Sequence, residues 1–339
     1  MCQFKSGLLS KSESGLDNDF VSDPDFDFES LRIPMVLNSL FPVFALVVLG
    51  VCLKYYRITD ERFLKTADRL VYFIFFPAML FWKIGGAQTA TGIPWRFCGA
   101  ALAAVAVIYL ISAVALKIFR ITAFQAGSYS QSCYRFNTYI GMAIILSAQG
   151  EPGIRNFGIL IGFLIPFINV LAVATLSWYG EGAGSGNSRL GLTLKALVSN
   201  PLVLACLAGL VYARFINTFP VFIDNALSLI SMVTLPLALL SIGGSLTIKS
   251  LAGYMRPAMV AAGIKLVLLP LVGYGLLKLF AVSRFEIQTG MIFFALPTST
   301  ALYVLSSQLG SDTRLAAASI VLSTILSFVS LSVVLLIFF

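Results

Sequence analysis

From residue 35 onward the chain is a series of apolar runs, each about 20 residues long and nearly free of charge, separated by short polar stretches. A run of that length lets an α-helix cross a hydrocarbon core of about 30 Å. A segment in lipid must also satisfy its own backbone hydrogen bonds, which leaves helices as the reading of such runs. They fall near 35–55, 63–84, 96–117, 124–148, 154–178, 196–214, 220–246, 257–279, 286–309 and 314–338. The expectation is an all-α polytopic membrane protein with about ten transmembrane helices.

Composition narrows the function. Charged residues make up 11% of the chain, against roughly 25% in soluble domains, so the solvent that fits is the lipid bilayer. There is no His, which removes imidazole-ligated zinc and the Ser-His-Asp triad. The five Cys are scattered without CxxC spacing, and four lie in apolar runs, where Cys behaves as a small hydrophobe. No Walker motif, kinase set or nucleophile elbow is present, so ATP-driven transport and hydrolysis are unsupported. No catalytic residue, cofactor or metal is expected. The net charge of +8 does not point to nucleic acid, because the basic residues sit at the ends of apolar runs and carry orientation information instead.

Residues 1–34 differ from the rest: they are polar, rich in Asp and Glu, and lack the apolar segment of a signal peptide. They are expected to be a disordered tail, and Met35, directly before the first apolar run, is a candidate translation start. Ten spans put both termini on one side. The loops after odd-numbered spans hold Lys54, Arg57, Arg62, Lys65, Lys117, Arg120, Arg189, Lys195, Lys249, Arg256 and Arg314, eleven in all, against six after even-numbered spans. The odd loops are therefore expected in the cytoplasm and both termini outside the plasma membrane. A glycine-rich linker, 179–190, falls in one of those loops at the middle of the chain.

The halves on either side of the linker, 35–178 and 191–339, resemble each other at an offset of 159: Pro42 meets Pro201, Pro77 meets Pro236, Gln149 meets Gln308 and Arg155 meets Arg314. Five helices is an odd number, so a second copy must enter from the opposite face. The expectation is a 5+5 inverted repeat, an architecture of secondary transporters.

Such transporters bind substrate where helices are interrupted at matching places in the two repeats. In the ninth span, Pro297 removes a backbone donor and is followed by Thr298, Ser299 and Thr300. At the offset of 159 it faces Thr138 in the fourth span, beside Asn137 and Gly141, all poor helix formers. Crossed, broken fourth and ninth helices would aim positive N-terminal dipole ends at one point, a setting for a carboxylate; the competing reading is a packed proline kink. Arg135 and Lys265 lie within spans, where a charge costs roughly 2.5–3.5 kcal/mol and usually faces a cavity or partner; for both, snorkelling to the cytoplasmic surface competes. Asp68, beside Arg69, is expected in a local ion pair. The candidate substrate-binding residues are Arg135, Asn137, Thr138, Pro297, Thr298, Ser299 and Lys265.

Asn38-Ser39-Leu40-Phe41-Pro42 with Gly50, Arg135-Phe136-Asn137-Thr138, Asn200-Pro201-Leu202, Pro236-Leu237-Ala238-Leu239, Lys265-Leu266 with Pro270, and Ala295-Leu296-Pro297-Thr298 with Tyr303-Val304 together resemble the auxin efflux carrier family over about residues 35–339, in its bacterial form. The resemblance implies a scaffold of spans 1, 2, 6 and 7, a mobile domain of spans 3–5 and 8–10, a homodimer, and a site where spans 4 and 9 cross. The chain departs from the family pattern in lacking a proline in the fourth span and in its short central loop, which argues against auxin itself. The function expected is an elevator-type permease for a small organic anion, a carboxylate, with H⁺ or Na⁺ coupling left open. A carrier of the bile-acid symporter or cation–proton antiporter type is the alternative, although antiporters need an intramembrane Asp at the crossing. A non-transporting membrane sensor is the remaining class, disfavoured because no loop is long enough for an output domain.

Overall fold

A computed structural model describes residues 28–86, 93–179, 200–216, 218–246, 251, 253–308 and 310–339. Among them every regular element is a helix. In chain order these are α1 (Phe28–Tyr55), α2 (Glu61–Leu70), α3 (Phe76–Gly85), α4 (Trp95–Ile118), α5 (Ala123–Tyr134), α6 (Thr138–Tyr179), α7 (Pro201–Phe215), α8 (Val221–Ser245), α9 (Met255–Gly263), α10 (Leu269–Leu279), α11 (Arg284–Ala295), α12 (Ala301–Gln308) and α13 (Thr313–Phe338). Single π turns, Val71–Phe75 and Ile264–Leu268, join α2 to α3 and α9 to α10. Each comes just before a proline, Pro77 or Pro270. Proline cannot donate to the ladder and crowds the carbonyl four residues back; widening the preceding turn relieves that crowding without ending the helix.

Six helical stretches among the described residues are long and apolar enough to cross a membrane: Val36–Tyr55, Trp95–Ile118, Ala123–Leu176, Val221–Ser245, Met255–Leu279 and Thr313–Phe338. The difference from ten has local causes. The Ala123–Leu176 stretch is 54 residues long, far more than one crossing requires. The expected sixth span is the 15-residue α7, the ninth is divided by a break, and the second carries Asp68, Arg69 and Lys83 within its helical length. The first helix starts at Phe28, inside the stretch expected to be a tail. Residues 1–27 and the linker over 180–190 lie outside the described residues.

The outward faces of the bundle are apolar. Phe41, Leu110, Trp178, Leu207, Phe222, Met232, Leu271 and Val329 are all exposed, a coating that water would not tolerate over so wide a surface and that lipid requires. Inside, one cluster of buried side chains runs from Val36 to Leu335. Its tightest seam is α1 against α8: a Cβ on Gly243 would run into the carbonyl of Val47, and one on Gly50 into that of Leu240. Small residues at such a seam let backbones approach, which drives helix association in lipid.

Two stretches of the chain carry the same series of elements. After α4 and after α10 the chain turns through a left-handed residue, Arg120 (φ 54°) or Ala281 (φ 49°). The next residue donates back to close the turn, Ile121 N–H to Leu116 O and Val282 N–H to Leu277 O. Thr122 and Ser283 then cap the 12-residue helices α5 and α11. Both of these helices end in a non-helical break, and further on each stretch bends at a left-handed glycine, Gly150 (φ 66°) or Gly310 (φ 69°). Through α5 and α11 the correspondence is Ala123 with Arg284 and Tyr134 with Ala295, two residues beyond the offset of 159. The rare residues used to set that offset lie outside these helices, so they could not report the shift.

Candidate functional site

The two breaks meet. The chain leaves the helical path at 135–137, between α5 and α6, and at 296–300, between α11 and α12. There the Asn137 N–H donates to the carbonyl of Pro297 at 2.8 Å. The fourth span breaks without a proline because Arg135 takes an extended backbone and Asn137 restarts the helix. The Asn137 Oδ1 accepts from the N–H groups of Tyr139 (3.1 Å) and Ile140 (3.2 Å), the role an N-cap Asn fills at any helix start. Thr138 is the first residue of α6 and is half-buried.

The second break is held from several sides. Thr298 is buried; its N–H donates to Ser323 Oγ (3.1 Å) and its hydroxyl to Ser132 O (2.9 Å). Ser299, half-buried, accepts from the Ala301 N–H at 3.2 Å and so caps α12. Ser330 donates to Ala295 O at 3.0 Å. Polar groups freed by an interruption in lipid cost several kcal/mol each if unpaired; the Ser323 and Ser330 hydroxyls of α13, the Ser132 carbonyl of α5 and the Ser299 hydroxyl within the break remove that cost. Behind the crossing Phe136 packs edge-on against Phe293, with ring centroids 4.6 Å apart.

Arg135 does not snorkel. It is 6% exposed, its Nε donating to Gln131 Oε1 and its Nη2 to Asn169 Oδ1, both at 2.8 Å. Both acceptors are neutral, and among the described residues the ion pairs are Lys54–Glu61 and Lys83–Glu151. A guanidinium is thus buried beside the crossing with polar support and, among the described residues, no carboxylate partner. Tyr72 lies within electrostatic reach of both Arg135 and Asp68. The local ion pair expected for Asp68 is not formed.

Lys265 is fully buried and does not snorkel either. Its Nζ donates to Phe294 O at 3.2 Å and lies 5.8 Å from the centroid of the Phe293 ring. It therefore points at the C-terminal end of α11. An open apolar groove of about 430 Å³ lies elsewhere, between α3, α7 and α8, and none of the crossing residues lines it. Gln131, one turn before Arg135 on the same helix face, could have been read from the sequence by its i,i+4 spacing. For Ser323 and Ser330 no sequence signal existed.

A helical bundle coated in apolar side chains, with several helices long enough to span, is a multi-pass membrane protein. Two interrupted helices meeting beside a buried cation held by neutral side chains is an arrangement suited to a permease. The comparisons agree with that class. Residues 188–335 match the family model described as membrane transport protein. The chain is 24% identical to an uncharacterized transporter of Methanocaldococcus jannaschii, over 87% of this chain and 96% of the relative. It is 23% identical to a protein of Rhizobium meliloti named "Putative malonate transporter", over 86% of this chain and 92% of the relative. These matches bear out the resemblance to the auxin efflux carrier family and support a membrane permease.

Proposed function

We propose that the chain is a secondary transporter that carries a small organic anion, a carboxylate, across the plasma membrane by an elevator-type movement. The observation that carries this reading is the buried Arg135 guanidinium, whose partners among the described residues are the neutral oxygens of Gln131 and Asn169. Burying an uncompensated cation costs several kcal/mol, and an incoming carboxylate would offset that cost while accepting two parallel N–H bonds. Asn137, Thr138, Pro297, Thr298 and Ser299 form the crossing that receives it. The dipole ends of α6 and α12 add partial positive charge there. The name of the Rhizobium meliloti relative supports a short dicarboxylate among the candidates.

The matching series of turns, caps and breaks in α4–α6 and α9–α13 supports the ten-helix, 5+5 inverted-repeat reading. In it α1–α3, α7 and α8 form the scaffold, and the crossed elements form the moving domain of a homodimer. Reconstituted protein in liposomes, assayed with a panel of radiolabelled mono- and dicarboxylates, should move at least one of them well above protein-free vesicles. Imposed H⁺ and Na⁺ gradients would identify any coupling ion. A panel with no transported carboxylate would refute the substrate class.

A further inference from the structure

The sequence groups Lys265 with Arg135 as a cation for the anion, but the two groups face different things. Arg135 keeps guanidinium N–H groups beyond its two neutral bonds. Lys265 turns its single ammonium to a main-chain oxygen. The Phe294 carbonyl it reaches lies in the last turn of α11, where carbonyls lose their helical partners and the dipole carries about half a negative charge. It is therefore a cation set at a helix C-terminal end, not at the N-terminal ends that would face an anion.

The neighbouring groups share the task. The Phe293 carbonyl accepts from the Leu296 N–H, and the Ala295 carbonyl accepts from Ser330. The Phe294 carbonyl is left to Lys265. Three residues later Pro297 offers its own carbonyl to Asn137. The position of the Pro297 oxygen thus depends on where α11 ends, and Lys265 holds that end. Lys265 is the second residue of the π turn Ile264–Leu268 and is buried there.

We propose that Lys265 is a positioning residue: by fixing the end of α11 it sets the geometry of the crossing, and so the affinity for the anion, without touching the anion. This rests on the carboxylate reading above. The test uses full-length purified protein and two radiolabelled probes, malonate and its monomethyl ester, which differ by one charge at neutral pH. Lys265→Met should raise the apparent KM for both probes by the same factor, tenfold or more, in the folded fraction isolated by size exclusion. Lys265→Arg, which keeps a charged donor, should recover most of the loss. Arg135→Gln should weaken malonate more than the monoester.

A selective loss of malonate in Lys265→Met would make Lys265 a direct charge partner and overturn the proposal. An unchanged KM for both probes would reduce the lysine to a fold element and overturn it as well. Should Lys265→Met fail to fold, Ser330→Ala removes the adjacent donor from the same helix end. It should raise KM for both probes equally, by about two- to threefold, and no change would count against the proposal. Normal handling of both probes by Arg135→Gln would instead refute the carboxylate site itself, whatever Lys265 does.

Discussion

Replacing Arg135 by Gln removes the one full charge that the proposed anion would meet directly. Hydrogen bonds to a charged group are worth about 1.5–3 kcal/mol each in net terms. Losing one such contact corresponds to a loss of affinity of roughly 10- to 150-fold, at about 1.4 kcal/mol per tenfold. The cost to the empty protein should be far smaller. Gln131 and Asn169 lose a donor, about 1–3 kcal/mol each if left unpaired. Against this, the bundle no longer carries a buried cation without an anion, a penalty of several kcal/mol. The two terms oppose, so the variant should unfold within a few degrees of the parent in detergent. Saturating carboxylate at about 100 times Kd should stabilise the parent by about 2.7 kcal/mol and the variant by only about 0.3–1.4 kcal/mol at the same concentration. Arg135→Lys keeps the charge but loses the planar fork, and should fall between. If Arg135→Gln expresses normally and takes up the anion with parental KM, the buried guanidinium is a structural anchor and the argument fails.

Asn137→Ala deletes the cap of α6 and should cost about 1 kcal/mol of stability together with a clear loss of transport, read by thermal unfolding and uptake in parallel. Gly243→Val would drive a side chain into the Val47 carbonyl and should destabilise by about 3 kcal/mol or more, seen as loss of monodisperse protein on size exclusion. Cys introduced at Ser185, in the linker, should be shielded from impermeant maleimide in intact cells, following the eleven-to-six count of basic residues; ready labelling from outside would reverse the orientation.

The helix positions are legible in the sequence because lipid makes length and hydropathy nearly sufficient. Trp95–Ile118 and Thr313–Phe338 lie within a residue or two of the runs that predict them. The interruption at Pro297 is legible because proline announces itself. Its counterpart at 135–137 is read only from weak helix formers, which serve equally well as caps, as Asn137 does. The partners of Arg135 divide in the same way. Gln131 is one turn away, but Asn169 is 34 residues on and reaches the guanidinium only after α6 bends at Gly150. Where Lys265 points is not legible at all, since a π turn changes which face a residue takes and nothing in Ile264-Lys265-Leu266 marks it. The two-residue shift between the repeated elements escapes for a related reason, that breaks of unequal length leave no trace in hydropathy.

The bond from the Asn137 N–H to the Pro297 carbonyl joins main chain to main chain. Short of proline at 137, which removes the donor itself, no side-chain substitution deletes it, so an alanine scan can disable everything around the crossing and still leave the two interruptions tied. They form one mechanical piece: a displacement of α5 and the start of α6 drags α11 and α12 with it, and an anion that settles against one break is felt at the other without any relay of side chains. Cutting that tie without disturbing the cap takes a change in the backbone itself. An ester in place of the amide between Phe136 and Asn137 would keep every side chain and let the two halves move apart.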